Sequence, residues 1–252
     1  MGILVYHRVD PRFSLGVTNI TPKLFARQIK AILRADLQIR TVGELVAEGL
    51  PSGQTALTFD DGYESVFLHA FPILQTEGIK ASVFVNPAFT GQWNVWDVRL
   101  PGQRAKLMDW RQIEALAKAD WEIGIHGLTH KDLCSLNDEE LEQEINLARF
   151  LLKSRLGTCS SVISYPFGRV DVRVAQCCRK NGLTAGLTMS RSPKMVPPEF
   201  AVRRYGVYPF DTPNRTAVKA KSPTKGFSTL QQVMDFCSSA TVVLMRRYWR
   251  YY

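Results

Sequence analysis

This chain of 252 residues has no long apolar run. Only Ile3-Leu4-Val5-Tyr6 separates Gly2 from His7, and no basic segment precedes it. That is too short for a signal peptide or a membrane span, and Tyr6 stands where a myristoylation signal wants Ser or Thr. The expectation is a cytoplasmic protein. Cysteine is sparse and odd in number: Cys134, Cys159, Cys177, Cys178 and Cys237 form no Cys-x-x-Cys pair. A disulfide framework is not expected, and reduced thiols in a cytosolic compartment fit better. Acidic residues are scarce in one region only. Residues 1–190 carry 21 basic and 20 acidic side chains, whereas residues 191–252 carry 11 and 3. The net charge of +9 therefore belongs almost wholly to the last quarter, where an anionic partner is to be sought. Neither a repeat nor a low-complexity tract is present. A composition of 45% hydrophobic and 22% charged residues excludes a disordered chain.

What is present is an alternation of short apolar runs with helical patterns. Strands are expected at 3–6, 56–59, 81–85, 121–125, 162–165, 183–187 and 202–207. Helices are expected behind Thr21-Pro22, over 65–76 and 109–119, from Asn137 through 152, and from Asp171 to Gly182. Repeated βα units imply a parallel sheet or barrel. Residues 86–108, with Trp93 and Trp96, form a long loop of the kind that serves a substrate. Residues 190–226 are rich in Pro, Lys and Arg and break the rhythm.

Four segments carry candidate chemistry. Thr58-Phe59-Asp60-Asp61-Gly62 sets adjacent carboxylates at a strand end, where one can meet a metal and the other act as a base. Alone, Asp-Gly reads equally well as a turn. His126 and His130 are two of only four histidines, four apart behind an apolar strand; with an aspartate they supply three ligands and leave an open position. Ser164-Tyr165-Pro166-Phe167-Gly168 is a rigid strand exit able to aim a backbone N–H and an apolar wall at a substrate. Tyr6-His7 follows the first strand. All of these lie just past predicted strand ends, and in a parallel barrel those ends share the face that holds active sites.

These residues resemble the polysaccharide deacetylase (NodB-homology) superfamily, carbohydrate esterase family 4, over residues 3–208. Thr58-Phe59-Asp60-Asp61-Gly62 matches its first motif. His126-Gly127-Leu128-Thr129-His130 matches its His-x-x-x-His motif, with Gly127 where Ser or Thr is more usual. Tyr165-Pro166-Phe167-Gly168 looks like the third motif in a version without the preceding arginine. The resemblance implies an α/β fold, a distorted barrel of about seven βα units. It implies a divalent metal, usually zinc, on Asp61, His126 and His130, and Asp60 as general base. The family's usual late histidine is absent. Tyr6-His7 is instead similar to the N-terminal Tyr-His of a circularly permuted branch, the poly-N-acetylglucosamine deacetylases, which makes His7 the general acid. Residues 200–207 resemble that branch's late strand, and Arg204 is the candidate to replace the missing arginine. Tyr165, Pro166 and Phe167 are expected at the substrate, with the Phe167 N–H on the oxyanion; separately from the resemblance, the aromatic faces of Trp93 and Trp96, with Asp97, suit one wall of a sugar site, and they serve equally well to pin down the long loop.

The reaction implied is removal of an N-acetyl group from an amino sugar, on an N-acetylglucosamine-type glycan or a lipid-linked saccharide. The barrel is expected over 1–210, with a basic extension over 211–252 packed against it. That basic region suits a phosphate or an anionic membrane surface; no recognition motif speaks for nucleic acid. The rival reading is a non-catalytic basic binding module on a decayed deacetylase barrel, with the aromatic and arginine-rich residues 241–252 as its contact.

Overall fold

The computed structural model describes residues 2–12, 18–96, 105–189 and 195–221. Asp97 and the segment 241–252 lie outside the described residues. Seven parallel strands close into a ring: β1 (Ile3–Tyr6), β5 (Gln54–Phe59), β6 (Ser82–Val85), β7 (Glu122–Ile125), β8 (Val162–Ser164), β9 (Ala185–Thr188) and β10 (Val202–Gly206). The seam is β1, which pairs with β10 through Ile3 opposite Arg204 and with β5 through Ile3 opposite Ala56. A further strand, β4 (Gln38–Arg40), adds to the start of β5. A small parallel pair, β2 (Arg8–Val9) and β3 (Asn19–Ile20), stands apart from the ring.

The helices follow from their ends. Thr21 accepts from the Leu24 N–H and Pro22 opens α1 (Pro22–Arg34). Capping boxes start α2 (Val42–Ala47) at Thr41 and Glu44, α4 (Trp110–Lys118) at Asp109 and Gln112, and α5 (Asp138–Leu156) at Asn137 and Glu140. Gly157, at φ 73°, stops α5 in the left-handed conformation. Asp171 caps α6 (Val172–Lys180). The helix expected over 65–76 is instead a π-helical stretch, Val66–Ala70, leading into α3 (Phe71–Thr76). The last described element, α7 (Pro213–Lys221), packs on α1, and its Lys219 ammonium is buried on Asp211 Oδ2 at 2.6 Å.

Strand side chains alternate between two cores, as a closed sheet requires. Leu4, Tyr6, Leu57, Phe59, Ile123 and Ile163 face outward into the layer beneath the helices. Ile3, Ala56, Phe84, Val162, Leu187 and Val202 form a smaller cluster inside the ring, with Val42 and Leu45 of α2 packed against it. Gly124 leaves the room that Phe84 occupies; a Cβ there would stand 2.6 Å from its ring. Period two continues this inward set upward to Thr58, Asp60, His126, Ser164 and Arg204. Polar chemistry therefore sits on an apolar floor, at the ends of the strands.

Candidate active site

Asp60 and Asp61 follow β5 directly, and the chain turns sharply there. Asp61 takes φ 68° and Gly62 φ 69°. His130 (φ 60°) and Phe167 (φ 59°) are also left-handed. Each such non-glycine residue costs about 1–3 kcal/mol, and strain of this kind gathers where the surroundings impose a geometry. At Gly62 a side chain is excluded, because a Cβ would lie 2.8 Å from Val85.

These turns bring Asp61, His126 and His130 together. Asp61 Oδ1 lies 3.2 Å from His130 Nε2 and 3.5 Å from His126 Nε2. All three side chains are buried, and their ligand atoms lie within 4.8 Å of one another. His126 Nδ1 is 2.8 Å from the Ser164 carbonyl, which fixes the proton on Nδ1 and leaves a lone pair on Nε2. Burial pushes the His126 imidazole down to about 4 against the pull of Asp60, so the ring is neutral near pH 7. Burial opposes ionisation of Asp61 as well. The His130 imidazole, with His7 and His126 beyond it, outweighs this and holds the carboxyl below the usual range. Asp61 Oδ1 is nevertheless a buried oxygen with no hydrogen-bond partner. A carboxylate oxygen and two imidazole nitrogens converging in a buried site are a donor set for a divalent cation, and one that suits zinc. The residues fit the metal.

Asp60 is held quite differently. Arg204, 1% exposed and rising from β10, grips it at both oxygens: Nη1 donates to Oδ1 at 2.8 Å and Nη2 to Oδ2 at 2.6 Å. The Ser164 hydroxyl donates to Oδ2 at 3.0 Å and accepts from Arg204 Nη2 at 2.7 Å. Thr58 Oγ1 accepts from Nη1 at 3.1 Å. Desolvation alone would raise the Asp60 carboxyl; the Arg204 charge, aided by His126 and His7, lowers it below the ordinary value. Oδ2 thus accepts two hydrogen bonds and Oδ1 one, which leaves Oδ1 the oxygen with spare acceptor capacity. His7 is half-buried past the end of β1, close enough for its charge to act on both Asp60 and Asp61.

The remaining expected residues divide. Phe167 lies edge-on to His130 at 4.8 Å, behind the buried Pro166. Trp96 is 4% exposed and stacks flat on His130 at 4.5 Å and 12°, so its face is spent on the histidine. Trp93 is 48% exposed. Tyr165 is turned into the outer core. Its hydroxyl donates to the Phe200 carbonyl at 3.1 Å and its N–H to Leu187 at 3.2 Å, so neither donor is free for a substrate. Thr58 and Ser164 stand inside two of the motifs, and their inward parity with Asp60 is the sequence signal for their part in the site. Asn86, which donates to the His126 carbonyl, shares that parity through Phe84, whereas Glu144 comes from α5 with no such signal.

Comparison with known proteins bears on the family and the fold. The polysaccharide deacetylase family pattern matches residues 48–186. The chain is 26% identical over 213 residues to YxkH of Bacillus subtilis (strain 168), named as a polysaccharide deacetylase, covering 82% of this chain and 68% of that protein. Among solved structures it resembles the Streptococcus pyogenes deacetylase PplD in complex with acetate (TM-score 0.74, 20% identity, 88% of this chain and 98% of that one). It also resembles IcaB from Ammonifex degensii (TM-score 0.71, 24% identity, 88% and 97%). These two likenesses establish the seven-stranded barrel. With the family pattern spanning more than half of its length, the chain belongs to the polysaccharide deacetylase family.

Proposed function

We propose that this sugar N-deacetylase is metal-dependent and hydrolyses the N-acetyl amide of an amino sugar, of the N-acetylglucosamine type, with Asp60 as base and His7 as acid. The observation that carries the reading is the division of labour between neighbouring aspartates. Asp61 faces two imidazoles with an unpartnered oxygen, while Asp60 is turned away onto Arg204.

Asp61, His126 and His130 would hold the divalent cation, which supplies Lewis acidity to a water molecule and to an amide carbonyl. Asp60 takes the proton of the attacking water at Oδ1, the oxygen that Ser164 leaves open. Its low basicity is offset by fixed aim, since Arg204 and Ser164 prevent the carboxylate from rotating. The Phe167 N–H, on a turn strained into the left-handed region, donates to the carbonyl oxygen as negative charge develops; one such donor contributes about 3 kcal/mol. His7 protonates the sugar nitrogen as the C–N bond breaks, so that acetate and a neutral amine leave. Trp96 and Phe167 shield His130 from water on two sides.

Acetate release from N-acetylated oligosaccharides, free and lipid-linked, tests the reading together with metal content. Release should stop with a chelator, return with zinc, and disappear along with bound metal in Asp61→Asn. Chelator-resistant release would refute the metal role, and a zinc-loaded protein inactive on every N-acetylated sugar would refute the substrate class.

A further inference from the structure

The turn that carries both histidines is unusual in its support. Gly127 takes φ 74°, and Thr129 follows two residues later. Glu144 reaches this turn from α5 and is 4% exposed. Its Oε2 accepts the backbone N–H groups of Leu128 at 2.8 Å and Thr129 at 2.9 Å, and its Oε1 accepts the Thr129 hydroxyl. A Cβ at position 127 would stand 3.1 Å from Oε2 and 3.5 Å from Pro166. The glycine at this place in the His-x-x-x-His segment suits its left-handed backbone angle, and it lets the carboxylate pack close against the turn. Three donors of the segment between the two histidines end on one side chain.

We propose that Glu144 is the positioning residue of the metal-binding turn. It sets the separation of His126 and His130 by satisfying the N–H groups between them, and it does so through the reach and shape of its acceptors rather than through its charge. The inference rests on the metal reading above. Ligand histidines depend on such outer contacts, and losing one typically costs about 10–100-fold in metal affinity.

Two conservative variants separate reach from charge. In Glu144→Gln the amide oxygen can accept both N–H groups while the NH₂ donates to the Thr129 hydroxyl, so geometry survives without charge. In Glu144→Asp the charge survives, but the carboxylate is withdrawn by one methylene. Zinc affinity is read by competition with a chromophoric chelator on the full chain, with thermal unfolding of the metal-free proteins in parallel. Glu144→Gln should bind zinc nearly as wild type does, and Glu144→Asp about 10–100-fold more weakly. Equal affinities, or the reverse order, would overturn the positioning role. A wild-type protein that binds no zinc would overturn the metal reading itself, and this inference with it.

Discussion

At the scale of single residues, the site depends on side chains of one type placed in contrasting surroundings. Asp60 and Asp61 are neighbours, yet one meets a guanidinium and the other two imidazoles. The proposed acid is the residue whose loss isolates the chemistry best, because His7 is neither a proposed metal ligand nor part of the Arg204 grip. His7→Ala should lower kcat by about 10²–10⁴-fold, the usual contribution of a general acid, while zinc content stays at the wild-type level. Turnover within a few-fold of wild type would remove His7 from the mechanism. These residues were legible in the sequence because chemistry-bearing types stood behind apolar runs. Glu144 was not, since nothing in a helical Glu tells which loop it will reach. Tyr165 misled for the opposite reason: its place in the motif pointed to the substrate, whereas strand parity sends it outward with Tyr6 and Phe59.

At the scale of elements, six of the seven ring strands are legible as apolar runs, β1 with its ends in place and the others within a residue or two, whereas β10 (Val-Arg-Arg-Tyr-Gly) shows only as a short strand candidate in the basic stretch. The strand β4 (Gln-Ile-Arg) is not legible, because it has one apolar residue and lies at the outer edge of the sheet. The short helix α2 announces itself by Thr41 and Glu44, but six residues are too few for a periodic pattern. Within Val66–Ala70 the wider π turn lies inside a run whose spacing reads as continuous helix. The β8–β9 pair shows how tightly elements constrain one another. Gly186 is opposite Ile163, and a Cβ on it would overlap the Tyr165 hydroxyl. Gly186→Ala should destabilise the protein by about 1–3 kcal/mol, the cost of overpacking, measured by urea unfolding. An unchanged midpoint would mean that Tyr165 moves without losing its bond to Phe200.

For the whole molecule, the site makes its own contribution to acid sensitivity. His126 titrates near 6.5 when unfolded and about 4 when folded. Between these values the unfolded chain binds a proton that the folded one refuses, so stability is full above 6.5 and falls as pH drops toward 4. Asp60 and Asp61 act in the same direction at lower pH, because their folded carboxyls lie below the ordinary value. Metal-free protein should therefore lose stability steadily from about pH 7 to about pH 5 in urea unfolding, and His126→Gln should flatten that slope. A flat profile in the wild type would contradict the buried neutral imidazole. The catalytic face is built from the nearly neutral portion of the chain, apart from Arg204.

The seam at β1 has a consequence for how such an enzyme comes into being. The first strand is gripped by β5 on one side and by β10 on the other. The proposed acid His7 and base Asp60 directly follow β1 and β5, and the anchor Arg204 lies in β10. While a nascent chain still lacks β10, it keeps an open sheet edge and a carboxylate without its arginine. The last stave of the barrel is thus also the one that brings the guanidinium to Asp60, so closing the ring and anchoring the proposed base are a single event.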